Sequence, residues 1–355
     1  MPKFLLAVFL LALAAVGPAQ PVLAEAVTGL YEASVPVQAQ DDAARDAGIP
    51  RAFEAVLVKV AGSRRVLQNP AVAGALREAP SRLVQFYFRS NPLPPDETGA
   101  VATELRLHAS FQPTAVDDLL RRAGEPRLSP NRPGTIAWIA VDDGQGLRVL
   151  SRDADPALLA WIERAAVERG VPLLFPAMDL EESLAVTPER VAALEEAAVA
   201  EASPRYGAPG VLMARLLRSS TGEWLGEWSQ RIGEESVYSQ GQDATIAGIA
   251  DKLVDSIADA LSTRFAVRAN LDNAEELRIR VGGVRTLADF RALSAELSRL
   301  GSVREARPAL IDGTTVHFDL VTDSGIDGVL QELGLLQRLR AAGDPAERRY
   351  DWAGG

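Results

Sequence analysis

The sequence predicts a multi-module protein of mixed α+β and α/β class: an N-terminal α+β domain, a central three-layer α/β domain and a C-terminal ferredoxin-like βαββαβ domain. Three observations predict it. Apolar residues alternate with period two in short runs and recur every three or four residues in longer ones, and the two patterns interleave along the chain. A stretch rich in proline and polar residues at 126–133 separates the first group of elements from the second. The 355 residues also exceed the roughly 250 to 300 that one hydrophobic core usually serves.

In the first domain, residues 27–125, Tyr31, Ala33, Val35 and Val37 alternate in a strand. Phe53, Val56, Leu57 and Val60 share one face of a helix over 51–62, with Pro50 at its start or at a kink. Asn69-Pro70 caps a short helix, strands follow over 83–89 and 105–111, and a helix from Pro113 buries Val116, Leu119 and Leu120 before Gly124. The central domain, 134–268, opens with residues 135–141, apolar on both faces as a strand covered on two sides requires. Asp155-Pro156 caps a helix that stops at Gly170, a strand follows over 171–175, and Thr187-Pro188 starts a helix running toward Ala202. A hairpin over 211–232 turns at residues 219–222, and the clearest helix, 244–265, repeats Ile246, Ile249, Leu253, Ile257 and Leu261. In the third domain, 275–340, Leu277, Ile279 and Val281 alternate in a strand, Thr286 and Ser324 cap helices, two strands meet at Asp312-Gly313, and residues 335–339 form a last strand. Residues 341–355 read as a flexible tail.

Residues 1–24 read as a signal peptide: Lys3, an unbroken apolar run from Phe4 to Val16, then Gly17-Pro18 and a Val22-Leu23-Ala24 ending, with cleavage after Ala24. That run covers about 20 Å as a helix against a hydrocarbon core of about 30 Å, so no stable membrane span is expected after cleavage. The expected location is the periplasm. The formal net charge is −11, a balance that repels phosphate backbones, so no nucleic-acid partner is expected. With no cysteine in the chain, disulfides, thiolate nucleophiles and sulfur-ligated zinc are excluded.

Several segments carry a family resemblance: residues 30–37, the stretch 51–62 ending in Val58-Lys59-Val60-Ala61-Gly62, Leu67-Gln68-Asn69-Pro70-Ala71-Val72, residues 111–124, and Asn131-Arg132-Pro133. Together they resemble the exported proteins of Gram-negative bacteria catalogued as domain of unknown function 2066, over about 28–340. The resemblance implies export and supplies no catalytic residues. Arg205-Tyr206-Gly207-Ala208 and residues 222–228 are more faintly similar to periplasmic domains of envelope-assembly proteins, such as the N-terminal domain of TolB and curli-secretion lipoproteins. Those lipoproteins are anchored through a cysteine that this chain lacks.

No constellation has catalytic or cofactor spacing, so no cofactor and no metal are expected. His108 and His317 fall in different domains, and the lysines are Lys3, Lys59 and Lys252 alone. Asp142 and Asp143 end the buried strand at 135–141, where α/β folds commonly place ligands, and Asp179, Glu181 and Glu182 follow another strand. If those loops met, they would offer paired carboxylates for glycan hydrolysis or a cation site; apart, they are solvated turns. Trp224 and Trp228 lie on one strand face, where they grip a ligand if exposed and are core if buried. The leading expectation is a non-enzymatic binding or scaffold component of the cell envelope, partnered by another envelope protein or ligand. The alternative is an envelope hydrolase using Asp142 or Asp143 with Asp179 or Glu182.

Overall fold

The computed structural model describes residues 24–96, 98–269 and 274–354; the expected leader, up to residue 23, lies outside the described residues. The first module contains β1 (Ala24–Ala26), β2 (Glu32–Pro36), α1 (Asp42–Ala61), α2 (Pro70–Ala75), β3 (Leu83–Pro92), β4 (Thr103–Phe111), α3 (Pro113–Arg122) and β5 (Asn131–Pro133). An antiparallel sheet of order β2-β4-β3 packs Leu107 and Phe111 against Phe53 and Leu57 of α1 and Leu120 of α3. Helix α1 starts two turns before the expected position. The Asp41 carboxylate accepts the Ala44 amide at 2.8 Å, so a proper N-cap lies upstream and Pro50 sits inside the helix. The stretch expected to be a linker is not free chain: β1 pairs antiparallel with β5, Ala24 opposite Pro133.

The central module contains β6 (Thr135–Asp142), β7 (Arg148–Val149), α4 (Pro156–Arg169), β8 (Leu173–Leu174), α5 (Leu180–Ala185), α6 (Pro188–Ala192), α7 (Glu196–Val199), β9 (Gly210–Arg218), β10 (Trp224–Ile232), β11 (Glu235–Asp243) and α8 (Ile246–Phe265). Its sheet has the order β11-β10-β9-β6-β7, with β8 also paired to β6 and with β6 and β9 parallel. Helices α4 and α8 cover one face, while Val186, Val191 and Val199 cover the other with Ile136 and Trp138. This is the expected three-layer arrangement. The helix expected from Thr187 toward Ala202 is broken into α6 and α7, with Leu194 between them at a left-handed φ of 54°. Strand β11 was not expected, because Val237 and Tyr238 are its only large apolar residues.

The C-terminal module contains β12 (Glu275–Gly282), α9 (Leu287–Ser298), β13 (Val303–Asp312), β14 (Thr315–Thr322), α10 (Ile326–Gly334), β15 (Leu339–Ala341) and β16 (Arg349–Trp352). A capping box starts α9: Asp289 receives the Thr286 amide at 3.0 Å and Thr286 Oγ1 receives that of Asp289 at 3.0 Å. The sheet order β13-β14-β12-β16-β15 corrects the expected tail. Strand β16 runs parallel to β12 and antiparallel to β15, wedged between them, and Trp352 is buried in the core. The last strand of the βαββαβ unit is therefore displaced outward to the sheet edge. Trp352 supplies the reason: its ring packs into the module's core, and the Arg338 guanidinium lies 4.5 Å from the ring centroid.

Candidate functional site

Residues 126–133 touch all three modules, and the two junctions they make differ in kind. Toward the central module the contact is knitted by buried cations on backbone carbonyls. Helix α1 ends there with carbonyls that its own turns cannot satisfy, and donors from the connector and from the central module take them. Buried Arg132 donates to the carbonyls of Lys59 (2.6 Å), Arg169 (3.1 Å) and Gly170 (2.6 Å). Arg169 donates to the Gly62 carbonyl at 3.2 Å and pairs with Asp255 of α8, while Ser262 Oγ donates to the Ala61 carbonyl at 3.0 Å. Cations at a helix C-terminus are favoured by the macrodipole. Gly170 is required here: its φ is 63°, and a Cβ would come within 2.9 Å of Arg132 Nη1. Burial pulls the Arg132 pKa down to about 9, still above neutrality, so the guanidinium enters the core charged. Lys59, also buried, has its pKa lowered to about 8 by burial; its Nζ donates to the Glu32 carbonyl at 2.8 Å. That bond ties α1 to β2 within the first module.

Toward the C-terminal module the contact is open. A cleft of about 1110 Å³ lies between α3, the chain at 27–31, the connector at 127–131 and the loop after α9. At its centre the Tyr31 hydroxyl donates to both Asp117 oxygens, at 2.9 and 3.1 Å, and Arg127 Nη1 lies 3.8 Å from Asp117 Oδ1. Burial raises the Asp117 pKa, opposed by Arg127 and the Tyr31 bond. Burial, with the Asp117 charge, also raises the Tyr31 pKa, so the phenol stays a proton donor. Arg127 Nη2 donates to the Gly301 carbonyl at 2.6 Å, and the Glu332 carboxylate holds the same turn by accepting the Ser302 amide (2.9 Å) and hydroxyl (2.6 Å). Arg121 pairs with Asp118 and lies 3.9 Å from Asp323, a residue 3 % exposed whose Oδ2 accepts no hydrogen bond. Arg338 lies 3.9 Å from Glu296. Each acid of the lining thus has an arginine within 4 Å, while Arg299 and Arg304 on the rim form no ion pair with a described residue. Apolar side chains, Leu30, Leu128, Leu300 and Leu336 among them, complete the walls.

The residues singled out in the sequence lie elsewhere. Asp142 accepts the Gly144 amide, and Asp143 is held by Arg148, which also pairs with Asp155. Hydrogen bonds from Arg148 keep the Asp143 pKa low. Asp155 stands at the N-cap of α4 with Pro156 after it, as expected, but its side chain serves Arg148 and makes no cap hydrogen bond. Asp179 caps α5 by accepting the Glu182 amide at 2.9 Å, and Glu182, buried, accepts the Met178 amide and the Tyr206 hydroxyl. Arg205 joins Asp179 and Glu182. No hydrogen bond or ion pair among the described residues joins the 142–143 pair to the 179–182 pair, and neither pair lines the cleft. Trp224 and Trp228 are 3 % and 2 % exposed and belong to the core beneath α8, the buried one of the two alternatives. Tyr31, Asp117, Arg121 and Arg127 were missed, because Tyr31 and Asp117 stand 86 positions apart and only the fold joins them. A faint signal existed in Arg127 and Arg132, two charges in a connector next to apolar Leu128.

Residues 24–129 match the family described as a domain of unknown function (DUF8605). That match overturns the resemblance to domain of unknown function 2066, whose segments up to position 124 fall within it. The matched stretch takes in Tyr31, Asp117, Arg121 and Arg127, the N-terminal half of the cleft. No curated protein matches the chain. Among the described residues no helix is long and apolar enough to cross a membrane.

Proposed function

We propose that this is an exported, non-enzymatic binding protein of the cell envelope, and that its ligand is an amphiphile whose anionic head enters the cleft between the first and third modules. The observation that carries the reading is the arginine excess. The lining holds five arginines against Asp117, Asp118, Glu296 and Asp323, in a chain of net charge −11. Such a local reversal of sign attracts an anion into a low-dielectric cavity whose walls suit an apolar body. Export is supported by the leader pattern of residues 1–24, upstream of a family match that starts at residue 24.

Octyl phosphate is a suitable probe, with inorganic phosphate as the control for the head alone. Calorimetry on the wild type is expected to give saturable binding of octyl phosphate. The paired change Arg299→Glu and Arg304→Glu is expected to weaken it at least about tenfold. Equal affinity for both proteins, or no heat with either, would remove the proposal. N-terminal sequencing of the native protein checks export, with Glu25 the expected first residue and Met1 the contrary result.

A further inference from the structure

A second opening lies on the far side of the central module, where α8 leaves part of β11 uncovered. The groove, about 670 Å³, has Trp228, Gln230 and Ile232 of β10 as its floor, Val237 and Ser239 of β11 as one wall, and Asp259 of α8 on the other. Two glycines shape it: a Cβ on Gly226 would lie 2.7 Å from the Trp228 ring, and one on Gly241 2.9 Å. The ring therefore lies flat beneath both strands. Gln230 is the anomaly. It is 2 % exposed, and neither its amide nitrogen nor its amide oxygen has a hydrogen-bond partner. A buried amide left unmade in this way costs about 1 to 3 kcal/mol per polar group, a cost that an entering polar group can relieve.

The wall beside it is a free sheet edge. Strand β11 pairs with β10 over its whole length, Glu235 opposite Ile232 to Asp243 opposite Trp224, and among the described residues no strand lies on its other side. Along most of its length that edge is bare: residues 235–243 contain no proline and no lysine, Val237 and Tyr238 are 51 % and 66 % exposed, and Lys252 of α8 reaches only the Gln242 carbonyl and Asp243 at its end.

We propose that this edge receives an extended segment of a partner protein by strand addition, with alternate side chains entering the groove and one of them, an amide or hydroxyl, pairing with Gln230. Charge decides between a partner and a second copy. Antiparallel self-pairing about Ser239 sets Glu235 of each copy against Asp243 of the other, two like-charged pairs on a chain already at −11. Asp243 is held by Lys252 at 2.9 Å, whereas Glu235 forms no ion pair with a described residue. The favoured segment thus carries a basic residue facing Glu235.

The test uses a labelled peptide of about ten residues, alternating valine and threonine with a lysine at each end, and its twin with glutamate at each end. Fluorescence anisotropy with the full chain is expected to show saturable binding of the lysine peptide, at least about tenfold weaker for the glutamate twin and for Val237→Lys. Gln230→Leu is expected to unfold at a higher temperature, because it removes the unpaired amide, and yet to bind the lysine peptide more weakly. No saturable binding, unchanged affinity in Val237→Lys, or a Gln230→Leu protein that binds as tightly as wild type would overturn the proposal. So would a wild-type dimer in sedimentation that Val237→Lys dissolves.

Discussion

The two junctions made by residues 126–133 are built from the same residue type to opposite ends. At the junction with the central module Arg132 spends its donors on backbone carbonyls and is fully enclosed. At the junction with the C-terminal module Arg127 lies beside a carboxylate and faces a cavity. An arginine saturated by helix-end carbonyls is mortar; arginines left over around a cleft are a binding surface. The difference teaches that the partner of a cation, more than its burial alone, separates a structural charge from a functional one.

The comparison can be broken most sharply at Arg132. Arg132→Ala leaves the carbonyls of Lys59, Arg169 and Gly170 without the donor that is buried against them, and a loss of about 4 kcal/mol in urea unfolding is expected. Next comes Lys59. Its folded pKa of about 8 lies below the ordinary 10.5, so between those values the unfolded chain holds a proton that the folded chain has released. Stability therefore rises with pH across that window, by about 3 kcal/mol, and Lys59→Met is expected to flatten the rise. Arg127→Met removes the bond to Gly301 and the cation beside Asp117. A cost of about 2 kcal/mol at neutral pH is expected, shrinking in acid as the Asp117 carboxyl, whose pKa is already raised, takes up its proton. The smallest effect on stability belongs to the rim: Arg299→Glu with Arg304→Glu should change it by less than about 0.5 kcal/mol while weakening ligand binding at least about tenfold.

The mixed α+β architecture was legible because periodicity reports burial, and most strands and helices of this chain bury one face. Residues 135–141 are apolar on both faces and form the central strand β6, and the run from Ile246 to Leu261 is the buried face of α8. What escaped was decided elsewhere. Strand β11 is an edge with little to bury, and β16 is a four-residue strand whose inward side chains are Tyr350 and Trp352 alone. The acidic pairs at 142–143 and 179–182 were legible as polar turns, but their partners Arg148, Arg205 and Tyr206 come from chain that the turns do not contain. The cleft was invisible for the same reason, since its lining comes from segments scattered between residues 27 and 338.

Amide hydrogen exchange, with and without octyl phosphate, tests the contrast between the junctions most directly. The account predicts that peptides covering 58–62 and 169–171 exchange near the rate of global unfolding in both conditions. Those covering 27–31 and 298–304 should exchange faster and slow when the ligand is added. Equal protection at both junctions, or slowing confined to the Arg132 side, would contradict it.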